Sequence, residues 1–424
     1  MNRKLLFTTT LVVVLIAILG VTFKVQKVKS GGTIYIRNDG SVAPSDAPIS
    51  SVDNITYTLT NNIYDNSIIV ERDNIIVDGA GYILQGMEEG TGISLWARTN
   101  VTIKNMHIKA LDNGILLSGS SNNNVSGNTI TSNGDGIRLH DSSNNNSICR
   151  NNLENNLAGI WLFGSYYNGL HGNNIRASEE YGIALFYSLD NIVSGNKVTA
   201  NSYGIFLYAS SNNSIYHNSF VSNTNQVYVY TSDSVNAWDN GYPSSGNYWS
   251  DYDGADSDYD GIGDTPYFIE ANNQDNYPLM GMFSSFNTSY GYAVDFVSNS
   301  SISDISFNLS PTEVYPPEAI LAFNVSNETG TEGFLRVCIP KILINGSYVI
   351  MFDDQVITNT TYPQVRELPC SNETHVYFYI NYSHSEHTII ITGTTLIPEF
   401  PSFLILPLFM IATLLAVIFY RRKR

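Results

Sequence analysis

Apolar and polar positions between residues 101 and 232 recur in blocks of 22 to 23. Asn128, Asn151, Asn173, Asn196 and Asn218 stand 23, 22, 23 and 22 residues apart. A Gly-Ile-x-Leu phrase returns at Gly114, Gly136, Gly159, Gly182 and Gly204, with an echo at Gly92-Ile93-Leu95. Six residues after each start stands a serine, at Ser120, Ser142, Ser165, Ser188 and Ser210, and Ser232 continues the series. A fixed period of this length marks a stacked repeat. Within a block the apolar positions are short, such as Val125 and Ile130, then Ile137 and Leu139. The i, i+2 spacing of the last pair puts both side chains on one face of a strand. The gaps hold Asn, Ser and Gly, which favour tight turns. No block has room for a helix of about ten residues, so each is predicted to form one turn of a parallel β-helix with Ile, Leu and Val inward. Neighbouring coils would lie about 4.8 Å apart, wound right-handed as parallel crossovers are. The asparagines are predicted to stack as an amide ladder at one corner, and the serines to do the same more weakly. A disordered Asn/Ser tract would not hold Ile and Leu in phase over six periods. A leucine-rich repeat is excluded because the helical half of each block is missing.

The flanks read differently. A basic start, Met1 to Lys4, precedes an apolar run from Leu5 to Phe23, the pattern of a signal peptide or a signal anchor. Short β-rich pieces in residues 31 to 72 are expected to cap the open end of the stack, and Asp73 to Gly81 to begin the first regular coil. The β-helix with its cap is thus placed at 31–240, and an Asp-rich turn closing it at 241–282. Residues 283–395 hold about seven strand-like runs, among them Ile320 to Phe323, Tyr348 to Phe352 and Val376 to Ile380, and are expected to form an immunoglobulin-like β-sandwich. At 396–424, Pro398-Glu399-Phe400-Pro401 precedes an apolar run from Ser402 to Tyr420 and then Arg421-Arg422-Lys423-Arg424. This predicts a transmembrane helix with its basic end in the cytoplasm, leaving residues 31 to 397 outside.

Composition narrows the partners. A net charge of −17 with only 14% charged residues argues against nucleic acid, which needs a basic stripe. Three cysteines are too few for a disulfide scaffold. Cys149 is expected in the core, while Cys338 and Cys370 either bridge or stay as free thiols. Asn-x-Ser/Thr sequons stand at Asn54, Asn100, Asn124, Asn145 and Asn212, and nine more fall between Asn287 and Asn381. That density predicts a glycosylated outer surface.

Three groups carry candidate chemistry. Asp256, Asp258, Asp260 and Asp264, with Gly261 between them, follow the front of a calcium loop, although Tyr267 stands where a bidentate Glu is usual. Six carboxylates within 14 residues would repel one another without a cation, so structural Ca2+ is expected there. Trp161, Phe163, Phe186, Phe206 and Tyr208 alternate with inward Ile and Leu, which predicts an outward aromatic stripe. Sugars stack on such stripes. The alternative is a stripe covered by the C-terminal domain or a neighbouring chain. The third group, Asp135, Arg138, His140 and Asp141 with Glu154 one coil on, holds the low-ranked catalytic candidates His140 and Asp141. A glycosidase needs two carboxylates roughly 5 to 9 Å apart.

The repeat, followed by Gly246-Asn247-Tyr248-Trp249-Ser250-Asp251-Tyr252, Asp260-Gly261-Ile262-Gly263-Asp264-Thr265-Pro266-Tyr267 and Asn276 to Met280, resembles the NosD-like right-handed β-helix family. The opening Gly32 to Val42 and the closing Ile397 to Ser402 are similar to archaeal surface members with a Pro-Glu-Phe sorting tail. The resemblance implies an anchored surface protein. Its founding members serve copper supply to nitrous oxide reductase. Copper is not carried over, because His107, His140, His171 and His217 are scattered and Met is sparse. The expected function is a cell-surface binding or adhesion module for glycan. A polysaccharide lyase, hydrolase or uronate epimerase, and a structural envelope protein, are the alternatives.

Overall fold

A computed structural model describes residues 32–231, 233–309 and 318–394. Both apolar terminal segments, the Pro-Glu-Phe motif and Ser232 lie outside the described residues. Among those described, no helix is long and apolar enough to cross a membrane, and every regular element is a strand.

Residues 56–229 form a β-solenoid in which each coil adds one strand to each of three parallel sheets. Sheet A takes in Thr91–Trp96, Asn113–Ser118 and their equivalents up to Asn225–Val229. Sheet B runs through Val101–Lys104 to Ser214–Tyr216, and sheet C through His107–Lys109 to Ser219–Val221. Ile115, Ile137, Ile160, Ile183 and Ile205 lie in register one above the other, and all are fully buried. Val125 and Ile130 belong to separate strands, one in sheet B and one in sheet C. The chain turns between them through Gly127, which has positive φ. Other corners carry Asn, Ser or Ala with φ between 47° and 60°, such as Ser132, Asn155 and Ala209. Asn reaches this left-handed region through its short polar side chain more readily than most residues.

The stack begins one coil earlier than the hydrophobic pattern predicts. Thr56–Leu59 and Asn66–Val70 already pair in parallel with the next coil. The cap itself is small: Val42–Ala43 and Ile49–Ser50 pair antiparallel against the first strands.

Besides the serine ladder, three asparagine-based ladders run beside the apolar core where the sequence predicts one. The expected series Asn128, Asn151, Asn173, Asn196 and Asn218 is present. A second links Asn123, Asn146, Asn168, Asn191 and Asn213. A third runs Asn133, Asn156, then Ser178, Asn201 and Asn223. In the first two ladders each rung is satisfied locally, whereas in the third Asn133 Oδ1 and Ser178 Oγ are buried without a partner among the described residues. Asn151 Oδ1 accepts the backbone and side-chain N–H of Asn128 at 3.0 Å each, while Asn151 Nδ2 donates to Val125 O at 2.9 Å. A buried amide is tolerated only when paired in this way. The serine ladder needs one correction: Ser143, not Ser142, is the buried member, its Oγ accepting Ser120 N–H at 3.1 Å. This coil has seven residues from Gly136 to the ladder serine where its neighbours have six. The extra residue bulges out at Asp141 and Ser142, both at positive φ.

The ladders also outlast the repeat. Asn236 and Asn273 extend one, and Asn247 extends another. Trp249 stacks on Phe220 at 4.7 Å, and Tyr267 on Trp249 at 4.4 Å, which roofs the last coil with rings. Asp275 ends the Asn247 ladder: it accepts Asn247 N–H at 2.7 Å, Trp249 Nε1–H at 2.9 Å and Tyr277 N–H at 3.0 Å. Burial pushes its carboxyl up to about 7.

Two five-stranded antiparallel sheets follow. They pack face to face, Phe296, Val337 and Phe378 from one against Leu321, Phe323 and Ile391 from the other. Among the described residues ten strands stand where the sequence suggests about seven. Cys338 and Cys370 are free thiols. Cys149 is free and half-buried on the outside of sheet B, not in the core.

Candidate functional site

The outer face of sheet A divides into a polar end and an aromatic end. Register places Leu116, Arg138, Trp161, Ala184, Phe206 and Tyr228 in one row. Phe163, Phe186 and Tyr208 form a parallel row. Trp161 stacks on Phe186 at 5.1 Å, Phe186 on Tyr208 at 5.8 Å and Phe206 on Tyr228 at 5.6 Å. Phe163, Tyr187, Tyr228 and Tyr230 stay exposed, so the C-terminal sheets do not cover this face. Phe206 points outward as predicted but is only 8% exposed. Rings of Tyr181, Phe186, Tyr203 and Tyr228 close over it, so it supports the stripe from beneath.

Tyr181 and Tyr203 join the stripe although alternation alone would send them inward with Ile183 and Ile205. Strand pairing skips Gly182 and Gly204, which breaks the alternation there. Tyr228 and Tyr230 extend the stripe past the last Gly-Ile-x-Leu motif, and Tyr208 lies 4.9 Å from Tyr230. Their parity with Phe206 and Tyr208 was a usable signal.

At the polar end, His140 Nδ1 lies 2.7 Å from Asp141 Oδ2, and Ser118 Oγ donates to the same oxygen at 3.0 Å. Trp96 meets the His140 ring edge-on at 6.3 Å. Arg138 pairs with buried Asp135 at 3.0 Å and lies over the Trp161 ring at 5.2 Å. Burial raises the Asp135 carboxyl, and Arg138 opposes the shift. Glu154 is not part of this group: it sits on sheet C and pairs with Arg176. His140 and Asp141 thus form a hydrogen-bonded imidazole–carboxylate pair on the face that carries the rings.

The acidic turn forms a second cluster. The carboxylates of Asp256, Asp258 and Asp260 converge within 4.8 Å. Asp264 stays apart, its Oδ2 accepting Ser257 N–H at 2.8 Å. Asp256 accepts the N–H groups of Asp260 and Gly261 at 2.9 and 2.8 Å, while burial pushes its carboxyl up to about 6. Arg336 of the C-terminal sheets, itself buried, lies 3.4 Å from Asp260 Oδ2 and donates to Asp260 O at 2.6 Å and Pro243 O at 2.7 Å. Arg366 donates to Asp258 O and Tyr259 O. The Arg336 guanidinium therefore offsets part of the repulsion that the sequence assigned to a cation, and Arg336 and Arg366 together tie the turn to the second domain.

Residues 59–254 match the family model described as Periplasmic copper-binding protein (NosD). No curated protein matches the chain. A variant of the periplasmic alginate epimerase AlgG is similar at 19% identity, over 40% of this chain and 48% of that one, with a TM-score of 0.32. The chain thus spans about half the length of that epimerase. Tailspike protein 2 of Escherichia coli O157:H7 bacteriophage CAB120 is similar at 9% identity over 78% and 63% of the two chains, TM-score 0.36. So is gp49 of Acinetobacter baumannii bacteriophage Fri1, a capsular polysaccharide depolymerase, at 8% over 80% and 69%, TM-score 0.22. These are distant likenesses among β-helix proteins. The stacked coils of residues 59–254 form a NosD family domain on a β-solenoid.

Proposed function

We propose that this protein binds polysaccharide at the cell surface through the aromatic face of sheet A. The observation that carries the reading is the continuous ring surface from Trp161 to Tyr230, open to solvent along Phe163, Tyr187 and Tyr228. Exposed apolar patches of this kind mark binding sites, and flat rings suit the C–H faces of sugars. An extracytoplasmic location accords with the periplasmic proteins this solenoid is similar to. The terminal apolar segments and the sequons extend that to an anchored glycoprotein of the archaeal surface type with a Pro-Glu-Phe tail. The test is a glycan array on the ectodomain with Phe163→Ala and Tyr208→Ala variants. Loss of binding in both supports the reading; unchanged binding, or no glycan bound by the parent, sinks it. Phe206→Ala is the wrong probe, because its ring is buried.

A second reading, turnover of an acidic polysaccharide as a lyase, hydrolase or epimerase, is favoured by the His140–Asp141 pair beside the stripe. Release or epimerisation of uronate polymer that His140→Ala abolishes would establish it. Convergence of Asp256, Asp258 and Asp260 likewise favours Ca2+ at the acidic turn, which a chelator-induced fall in melting temperature would support.

A further inference from the structure

A cleft of 540 Å³ lies between sheet B and the strand Met282–Asn287 of the second domain. Ligand sites fall in the range of about 300 to 1,000 Å³ and gather at domain boundaries. The floor is recessed where sheet B departs from its pattern. Gly169 stands in register between Ser147 and Ile192. The His171 ring lies back over it, so close that a Cβ there would meet Nε2 at 2.3 Å. Ser194 Oγ holds His171 Nδ1 at 2.8 Å. On the opposite wall Phe283 stacks on His217 at 4.1 Å.

The lining chemistry selects a ligand class. Arg150 and Asp295 are the one cation and the one anion of the lining; its other polar groups are serine hydroxyls, the Cys149 thiol, an amide and two imidazoles. Burial lowers the affinity of His171 for a proton, which favours the neutral ring. A nucleotide would need more positive charge and a lipid a greasier wall. Scattered neutral donors and acceptors beside one aromatic ring suit sugar hydroxyls and a C–H face. Asn287 lines the same cleft with an exposed side chain and heads an Asn-Thr-Ser sequon.

We propose that this interdomain cleft is a saccharide site, separate from the stripe on sheet A. Its occupant is a short neutral saccharide, either the first rings of an N-linked chain on Asn287 or a free oligosaccharide. The site does not depend on the aromatic face.

The experiment uses the full chain purified from its native cells, beside Asn287→Gln, Ser194→Trp and Ser285→Trp variants; Ser285 shares the cleft face of its strand with Phe283 and Asn287 and pairs across to Asp295. The two tryptophans fill the cleft from opposite walls, so one misfolded variant leaves the other as a test. Glycopeptide mass spectrometry reads occupancy at Asn287. A glycan bound in the cleft resists an amide-cleaving glycosidase in the native protein, and is released about tenfold faster once either tryptophan displaces it. A free ligand instead gives saturation-transfer NMR signals from cellotriose or mannotriose with Asn287→Gln, weakened about tenfold when either tryptophan is added. The free-ligand arm is read in a Phe163→Ala, Tyr208→Ala background, which removes binding at sheet A and leaves the signal from the cleft. An unprotected or absent Asn287 glycan together with no trisaccharide binding overturns the proposal.

Discussion

In the solenoid, a residue's partners lie one coil away along the chain; in the C-terminal sheets they come from anywhere. Ile137 pairs with Ile115 and Ile160, and Asn151 bonds to residues 22 or 23 positions off. In the second domain Glu332 pairs with Ser383, and Ser300 meets Tyr382 across 82 positions. Nearest-neighbour stacking repeats one solution many times, so the sequence displays it as a period. A sandwich solves each contact once, and only alternation along single strands is visible. The polar interiors differ as well. The solenoid buries uncharged amides in paired ladders, whereas Arg336 and Asp260 form a buried charged pair at the junction of the two domains.

That contrast can be broken at several points. The largest effect is expected from Asn173→Leu in the middle of a ladder. It strips acceptors from the Asn151 N–H groups and the donor from Ile148 O. Unpaired buried groups cost about 1 to 3 kcal/mol each. A loss near 4 kcal/mol should therefore lower the melting temperature of the whole solenoid, and a loss below about 1 kcal/mol in chemical denaturation would contradict the ladder's role.

Arg336→Met should cost less, about 3 kcal/mol, by leaving Asp260 buried without its cation. The damage should fall on the junction. Limited proteolysis is expected to cut near residues 256–264 first, and a single unchanged transition would count against the clamp. Asp275 sharpens the comparison through pH. Its carboxyl, raised from 3.8 to about 7, keeps in the folded state a proton that the unfolded chain gives up. Its contribution to stability is full below about pH 4, is lost as pH rises to about 7, and is flat above. Asp275→Asn should flatten that slope, and a parent melt independent of pH in this window would refute it. Smallest is Phe163→Ala, an exposed ring on a finished coil, expected to shift stability by less than about 0.5 kcal/mol while weakening glycan binding. A large fall in melting temperature would make the stripe structural instead.

Much of the solenoid was legible in the sequence. The period, the inward Ile and Leu, one asparagine ladder and the outward Trp161, Phe163, Phe186 and Tyr208 all follow from spacing and alternation. The two further ladders were equally periodic, but their asparagines are lost among neighbouring exposed ones such as Asn122 and Asn145. The constant offset of six points to Ser142, but one residue inserted in this coil moves the inward position to Ser143, and two adjacent serines hide the insertion. Glu154 was misgrouped because nearness along the chain says nothing about which of three sheets a residue faces.

Spacing along the chain therefore decided the repeat, because each coil sees only copies of itself, and a one-dimensional pattern is enough to specify one-dimensional stacking. Tertiary structure decided what lies at the ends and between domains. Trp249 and Tyr267 roof the stack, Arg336 reaches Asp260, and Asp295 faces Arg150 and His171 across a cleft. These contacts join segments tens of residues apart with no shared period. Only the folded chain brings them within the few ångströms over which hydrogen bonds and charges act.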